Sequence, residues 1–461
     1  MLDLRKIIKN FGSATGMRLF SAGISFALVV YLARTWSPEL FGQFGVLFAF
    51  FSLLQQMPLL GLHVVLTRDI ANNPETRFQH AVNATSLSLV VAGLLAVALG
   101  CAGRGLYPDS MYAGFWLIGL CMFPTAIIVV CESILVGEEK MGTIALVNSG
   151  ESILRAIVSL LVVIGGGSLT AVMICFLAAR VAAAAGYLGL AGMRSLFRWR
   201  DLQWEVLRGY LAVCPAFLGI MVLSAGMNRV DFILISKLGS ERQVAYYSSA
   251  YRLFEVALMV PSLLAFVLFP AFARFFEHSR ERFDELGRNM IRLLFLAGIP
   301  CSILIAVSAE PILSMIYGER YIAATPVLAI LIFVPVVTAL DQVMTMLLLA
   351  GHQQRFDLAV LVLSFTTYVG LLFLLIPPYG IVGAAVATAA TASVQLAFRH
   401  AMVRWRLGVG GLPTVLIRPM VAAAAMGATT LLLRDYSLPM AWVGGGVMYF
   451  CLVFWGRRHQ P

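Results

Sequence analysis

Apolar residues fill the chain in long runs, broken by charged or Gly/Pro-marked positions every twenty to thirty residues or so. A run of about 20 apolar residues, rising about 1.5 Å each, crosses the hydrocarbon core as one helix. The pattern predicts fourteen spans, at 13–34, 41–66, 81–102, 111–136, 142–165, 168–191, 210–236, 244–272, 293–310, 325–350, 358–377, 381–398, 415–433 and 440–456. Arg418 and Pro419 interrupt the thirteenth. The predicted fold class is therefore an all-α polytopic membrane protein.

Charge sets the orientation. With the N-terminus and its Arg5, Lys6 and Lys9 inside, the inner segments hold 22 of the 33 basic residues, the outer loops 6 and the spans 5. Short cytoplasmic loops are enriched in Lys and Arg, so both termini are expected inside. Composition agrees: 60% of the 461 residues are hydrophobic and 12% charged, against roughly 25% charged in soluble domains. The net charge of +10 lies mostly in the inner loops, where topology and anionic lipid explain it without a nucleic-acid partner. The seven cysteines lie in or beside apolar runs without a CxxC pair, which argues against a disulfide framework or zinc site. No cleavable signal peptide is expected, because the basic N-terminus runs on into the first span without a clear small-residue cleavage site.

A long inner loop at 193–209 separates spans six and seven. It predicts an N-lobe at 1–192, a C-lobe at 210–406, and two further helices at 407–461. An internal repeat supports two lobes. Leu32 to Phe44 and Ile235 to Tyr247 align on Ser37 and Ser240: each is a span end, a basic residue, a short turn and a span opening with an aromatic. Both copies fall on the outer side, so the repeat is parallel, and two similar halves with a site between them is a transporter design.

Several segments resemble a known family. They are Ser37-Pro38-Glu39-Leu40-Phe41-Gly42; Asp231-Phe232-Ile233-Leu234-Ile235-Ser236-Lys237-Leu238-Gly239, followed by Val244 to Tyr247 and Ala250 to Leu253; Pro311 to Tyr321 with Ala324 and Leu328; and Pro377 to Thr388. Together they resemble the Wzx-type oligosaccharide flippases, in the superfamily (MOP) that also holds the lipid II flippase MurJ and the MATE exporters. Ala245 departs from the glycine usual in that family. The resemblance implies two six-helix lobes around a central cavity in a bacterial inner membrane. It also implies a cargo of oligosaccharide on undecaprenyl pyrophosphate, no cofactor, and delivery toward polysaccharide polymerase and chain-length machinery. The glycines and alanines of these segments also read as helix ends and packing faces.

Ten ionisable residues fall inside spans: Glu132, Glu151, Asp231, Glu255, Asp341, Arg18, Arg155, Arg180, Arg229 and Arg252. Each costs about 2.5–3.5 kcal/mol at the bilayer centre, so each should face the bundle interior. Polar stripes at helical spacing surround several. They are Arg18, Ser21 and Ser25; Ser224, Asn228 and Asp231; Ser248, Arg252 and Glu255; Thr338, Asp341 and Thr345; and Thr388, Thr391 and Gln395. Arg252 and Asp341 lie deepest, about 12 Å along their helices, whereas Arg18 is about 8 Å in and could snorkel. Arg229 and Asp231 read as a gate or a solvated rim, Glu151 and Arg155 as an intrahelical pair or a path, and Glu132 and Arg180 as a cross-helix pair. All five buried bases are arginines, whose planar fork suits pyrophosphate. The resemblance assigns the substrate path to Arg18 and Arg252. Arg155, Arg180 and Arg229 are further path candidates, and Asp231, Glu255 and Asp341 are candidates for ion coupling or gating.

Two other classes were weighed against transport of a lipid-linked sugar. A drug or cation antiporter on the same fold would favour a carboxylate-dominated cavity. A membrane polymerase or glycosyltransferase would need a positioned acid, base or metal; the chain has no DxD, HExxH or GxxxxGK[ST] motif, and its longest outer loop is about 311–324.

Overall fold

A computed structural model describes the backbone of residues 4–190, 196–197, 200, 202–278, 280–350, 354–407, 412–434 and 438–455. Side chains of residues 1–19, 260–274 and 406–420, among others, lie outside that description. The described regular elements are all helical. The first half contains α1 (Leu4–Thr35), α2 (Pro38–Leu54), α3 (His63–Asn72), α4 (Arg77–Leu106), α5 (Asp109–Gly137), α6 (Met141–Ile164), α7 (Leu169–Leu190) and α8 (Trp204–Leu238). The second contains α9 (Glu241–His278), α10 (Arg280–Val307), α11 (Ala309–Tyr317), α12 (Thr325–Leu331), α13 (Val334–Ala350), α14 (Gln354–Leu407), α15 (Leu412–Arg434) and α16 (Leu438–Trp455).

Nine described stretches are long and apolar enough to cross a membrane, and Phe20–Thr35, Val421–Leu433 and Met440–Leu452 are shorter apolar helices. Their outward faces carry Leu94, Leu161, Phe373 and Leu432, all exposed. Such a surface would be unfavourable in water and costs nothing against lipid tails.

Packing divides the chain at Ile233/Leu234, within α8. In unit 1, α5 packs on α4 and α7, and α6 on α1 and α7. The chain entering α8 is fastened to this unit. The Gln203 amide donates to Asn83 Oδ1 at 3.1 Å, and Tyr210 Oη lies 2.9 Å from His80 Nδ1. These bonds draw the first part of α8 into unit 1. In unit 2, α13 packs on α9, α10 and α14, and α10 on α15, which pairs with α16.

The sequence repeat has a structural counterpart in each unit. Ser37 Oγ accepts from Leu40 N at 3.3 Å, and Ser240 Oγ accepts from Gln243 N at the same 3.3 Å. The flanking bonds match in register: Trp36 N to Leu32 O and Gly239 N to Ile235 O are both 2.9 Å. A serine that satisfies an orphan amide of the first turn fixes where each helix begins.

Two predicted spans, the second and the tenth, are interrupted within the described residues. Span two breaks at Leu60 and Gly61, both at positive φ, and a Cβ on Gly61 would lie 2.8 Å from the Phe217 backbone. Span ten divides into α12 and α13. Spans eleven and twelve run through α14 and meet at Gly380, whose φ of 57° and ψ of −133° are non-helical. Pro377 and Pro378 precede the kink, as expected of residues that end helices.

Gly380→Ala should therefore destabilise the protein by about 1–3 kcal/mol, because an L-residue is strained there. The added Cβ would also meet Gln243 Nε2 at 3.2 Å. Thermal unfolding in detergent should show a lower midpoint, and an unchanged midpoint would mean that the kink is unstrained.

Candidate functional site

The charged residues of unit 1 gather on α6 and α7 beside the C-terminal end of α2. Glu151 is buried, with Oε1 3.5 Å from Arg155 Nη1 on the next turn and Oε2 3.3 Å from Arg180 Nη1 on α7. Arg180 Nη2 also donates to Gln55 Oε1 at 2.9 Å. Aromatic faces cover the bases: the Arg180 guanidinium sits 5.0 Å from the Phe51 ring centre, and that of Arg155 4.9 Å from Phe176. Phe48 touches both rings, and Arg229 lies 5.6 Å from Phe48 and 5.5 Å from Phe232. A guanidinium is weakly hydrated and lies flat on π faces, so this lining offsets desolvation. Arg155 and Arg180 thus share the one carboxylate of Glu151.

The expected Glu151–Arg155 pair forms, with Arg180 as a further member. This corrects the expected pairing of Arg180 with Glu132. Glu132 accepts instead from Asn148 Nδ2 at 2.6 Å and from the Tyr187 hydroxyl at 3.2 Å. Tyr187 lies about two turns, or about 10 Å, beyond Arg180 on α7, so one helix addresses the two acids with different residues. Asp231 is buried rather than on a solvated rim, and its Oδ1 accepts from the Phe232 amide at 2.9 Å. Arg18 lies on α1, and its side chain is outside the described residues.

In unit 2, Arg252 Nη1 meets Glu255 Oε2 at 2.9 Å, three residues along α9, and both side chains stay partly accessible. Asp341 on α13 is paired with Arg399 on α14, and both are buried. Arg399 lies just past the predicted end of span twelve, where a basic residue reads as one of the inner-loop charges; the structure buries it instead. The sequence carried a signal for this, since Arg399 continues the stripe of Thr388, Thr391 and Gln395 at the next helical step.

The other polar stripes divide. Ser21 and Ser25 line a cavity of about 290 Å³ between α1 and α6, together with Ala22, Ala145, Asn148, Ser149 and Ser152. Asn228, Thr345 and Thr388 instead bond back to carbonyls four residues earlier, at 2.8, 2.9 and 3.0 Å. That satisfies them within an apolar surrounding. Among the described residues no group of three or more His, Cys, Asp or Glu side chains could hold a metal.

Known proteins give this arrangement its context. The sequence profile of the family described as polysaccharide biosynthesis protein matches residues 31–326. The chain belongs to that family. A curated relative, the probable low-salt glycan biosynthesis flippase Agl15 of Haloferax volcanii, is 24% identical over 392 residues, covering 82% of this chain and 79% of its own. The teichuronic acid biosynthesis protein TuaB of Bacillus subtilis is 30% identical over 141 residues, 30% of this chain and 28% of its own. Among solved structures, the lipid II flippase MurJ in an inward closed conformation superposes with a TM-score of 0.78 at 14% identity, covering 97% of this chain and 99% of that one. An inward-facing multidrug resistance MATE transporter of the MOP superfamily gives 0.66 at 15% identity, covering 85% and 96%. This polysaccharide biosynthesis protein thus has the fold of the MurJ and MATE transporters.

Glu151→Gln should destabilise this family member by about 3–5 kcal/mol, the usual cost of leaving a buried charge without its counter-ion. Glu151→Gln combined with Arg155→Leu and Arg180→Met should recover most of that loss. Thermal midpoints of the purified variants measure both; a fully stable single variant would show that the carboxylate does not hold the cluster together.

Proposed function

We propose that this protein flips undecaprenyl-pyrophosphate-linked oligosaccharide units from the cytoplasmic to the periplasmic leaflet of the inner membrane. The units would feed a surface polysaccharide such as a lipopolysaccharide O-antigen. The observation that carries this reading is the arginine excess of unit 1, where Arg155 and Arg180 share one carboxylate. A pyrophosphate presents several oxygens to such forks, and Glu151 can retain one arginine while the other turns to the ligand.

The lobes at 1–192 and 210–406 alternate access to a cationic central path, joined by the 193–209 segment. Arg18, Arg252, Arg155, Arg180 and Arg229 line the path in this reading. Asp231 and Glu255 serve ion coupling or gating, and Asp341 would gate by exchanging its bond to Arg399. Fourteen spans with both termini cytoplasmic are supported by the nine long stretches, of which Leu358–Trp405 holds two spans, with the three shorter helices and α9. The protein is then a transporter rather than an enzyme, handing its cargo to polymerase and chain-length machinery. A MATE-like antiporter needs a cavity dominated by carboxylates, whereas here Glu151 is outnumbered by arginines and Asp341 is tied to Arg399.

A deletion strain should accumulate lipid-linked units on the cytoplasmic leaflet, read by their protection from an external glycosidase; normal exposure at the outer face would sink the proposal. Arg252→Ala and Arg180→Ala should each weaken binding of undecaprenyl pyrophosphate to purified protein roughly tenfold to a hundredfold, the loss of one charge-assisted hydrogen bond.

A further inference from the structure

Glu132 on α5 is an acid of unit 1 that the arginine cluster does not use. The described ion pairs of this unit engage Asp69, Glu138 and Glu151. Glu132 is held by neutral donors instead, the Asn148 amide at 2.6 Å and the Tyr187 hydroxyl at 3.2 Å, whose single proton is shared with Asn148 Oδ1 at 2.9 Å. Asn148 has a second role, because it lines the cavity of about 290 Å³ that α6 forms with α1. Serines 21, 25, 149 and 152 make that cavity polar, and it is roomy enough for water with partners to hold it. The cavity thereby comes within one side chain of a carboxylate that lies five residues before the C-terminal end of an apolar helix.

We propose that Glu132 is a proton-binding carboxylate served by this cavity, with Asn148 and Tyr187 as positioning residues. An O–H bond forms on the carboxylate as the O–H bond of a hydronium in the cavity breaks, and the group passes from negative to neutral. Release reverses the step. Neutral donors orient the carboxylate without cancelling its charge, so a proton is what removes the charge inside the membrane. A metal cation fits poorly, because the amide NH₂ that Asn148 directs at the carboxylate has no lone pair to offer.

The other groups around Glu132 leave this role open. On α5, Cys131 is adjacent; on α7, Tyr187 is the hydrogen-bonded phenol; on α6, Glu151 lies further along with its charge held by Arg155 and Arg180. The core around Cys131 is completed by apolar residues of α3 and α4, among them Leu66, Ile70, Ala81, Ala84 and Leu87. From α1, Ser21 and Ser25 face the cavity.

Proton binding can be measured without transport, and the inference rests on the flippase reading only for what the proton drives. Infrared difference spectra between acid and alkaline pH, taken on the full chain in lipid nanodiscs, should show a protonated carboxylic C=O band that shifts in D₂O. The band should be lost in Glu132→Gln and kept, with a moved midpoint, in Glu132→Asp and Tyr187→Phe. A band of undiminished size in Glu132→Gln overturns the proposal, as does a titration that follows sodium rather than pH. In proteoliposomes, a proton gradient should accelerate flipping by the wild type and not by Glu132→Gln. If the wild type flips nothing while its band behaves as stated, the proton site stands and the flippase reading falls.

Discussion

Glu151 holds two guanidinium groups at once, and much of unit 1 is arranged around keeping those charges away from lipid. Each charge placed inside an apolar helix bundle has to be compensated where it sits. Here α6 supplies the acid and one base, α7 the other base, and the end of α2 an amide. Phe51 and Phe176 then close over the guanidinium faces. The relative placement of α2, α6 and α7 follows from that arrangement, since moving any of them would strand a charge.

The backbone obeys the same constraint. Helices satisfy their own amides and carbonyls, so an interruption at membrane depth must be covered by protein. At Gly61 the chain lies against the Phe217 backbone, and at Gly380 it lies beside Gln243. Between α12 and α13, Ile332 O accepts from the buried Ser302 hydroxyl at 2.9 Å. A side chain at Gly61 would leave no room for the covering segment, and the positive φ there and at Gly380 adds a second requirement for glycine.

Much of this was legible in the sequence, and the parts that were not have a common cause. Span positions are local quantities, set by twenty or so neighbouring residues, and nine described stretches are long and apolar enough to be spans. The short turn at Ser37 and its counterpart at Ser240 were legible for the same reason, as was the bend after Pro377 and Pro378. Cross-helix pairing is a different matter. Glu132 and Glu151 are both acids on neighbouring helices, and nothing in the chain says which one Arg180 will reach. Arg399 was misread because a basic residue near a predicted span end looks like an inner-loop charge, although its spacing from Gln395 pointed to the buried stripe. The break at Leu60 and Gly61 was missed because the apolar run continues through it.

The three kinds of acid in this protein differ in what their surroundings permit. Asp341 and Arg399 are paired and both buried, an arrangement in which losing either partner leaves a charge buried. Such a pair resists exchange unless something replaces its missing half. Glu151 is shared, so one arginine can leave it while the carboxylate remains compensated by the other. Glu132 is bound by neutral groups, so its charge can change without leaving a counter-charge behind. A static bundle would be served well enough by matched pairs alone. A shared acid and a neutrally held one, both contacted by residues of α7, instead leave charge in unit 1 that can be rearranged.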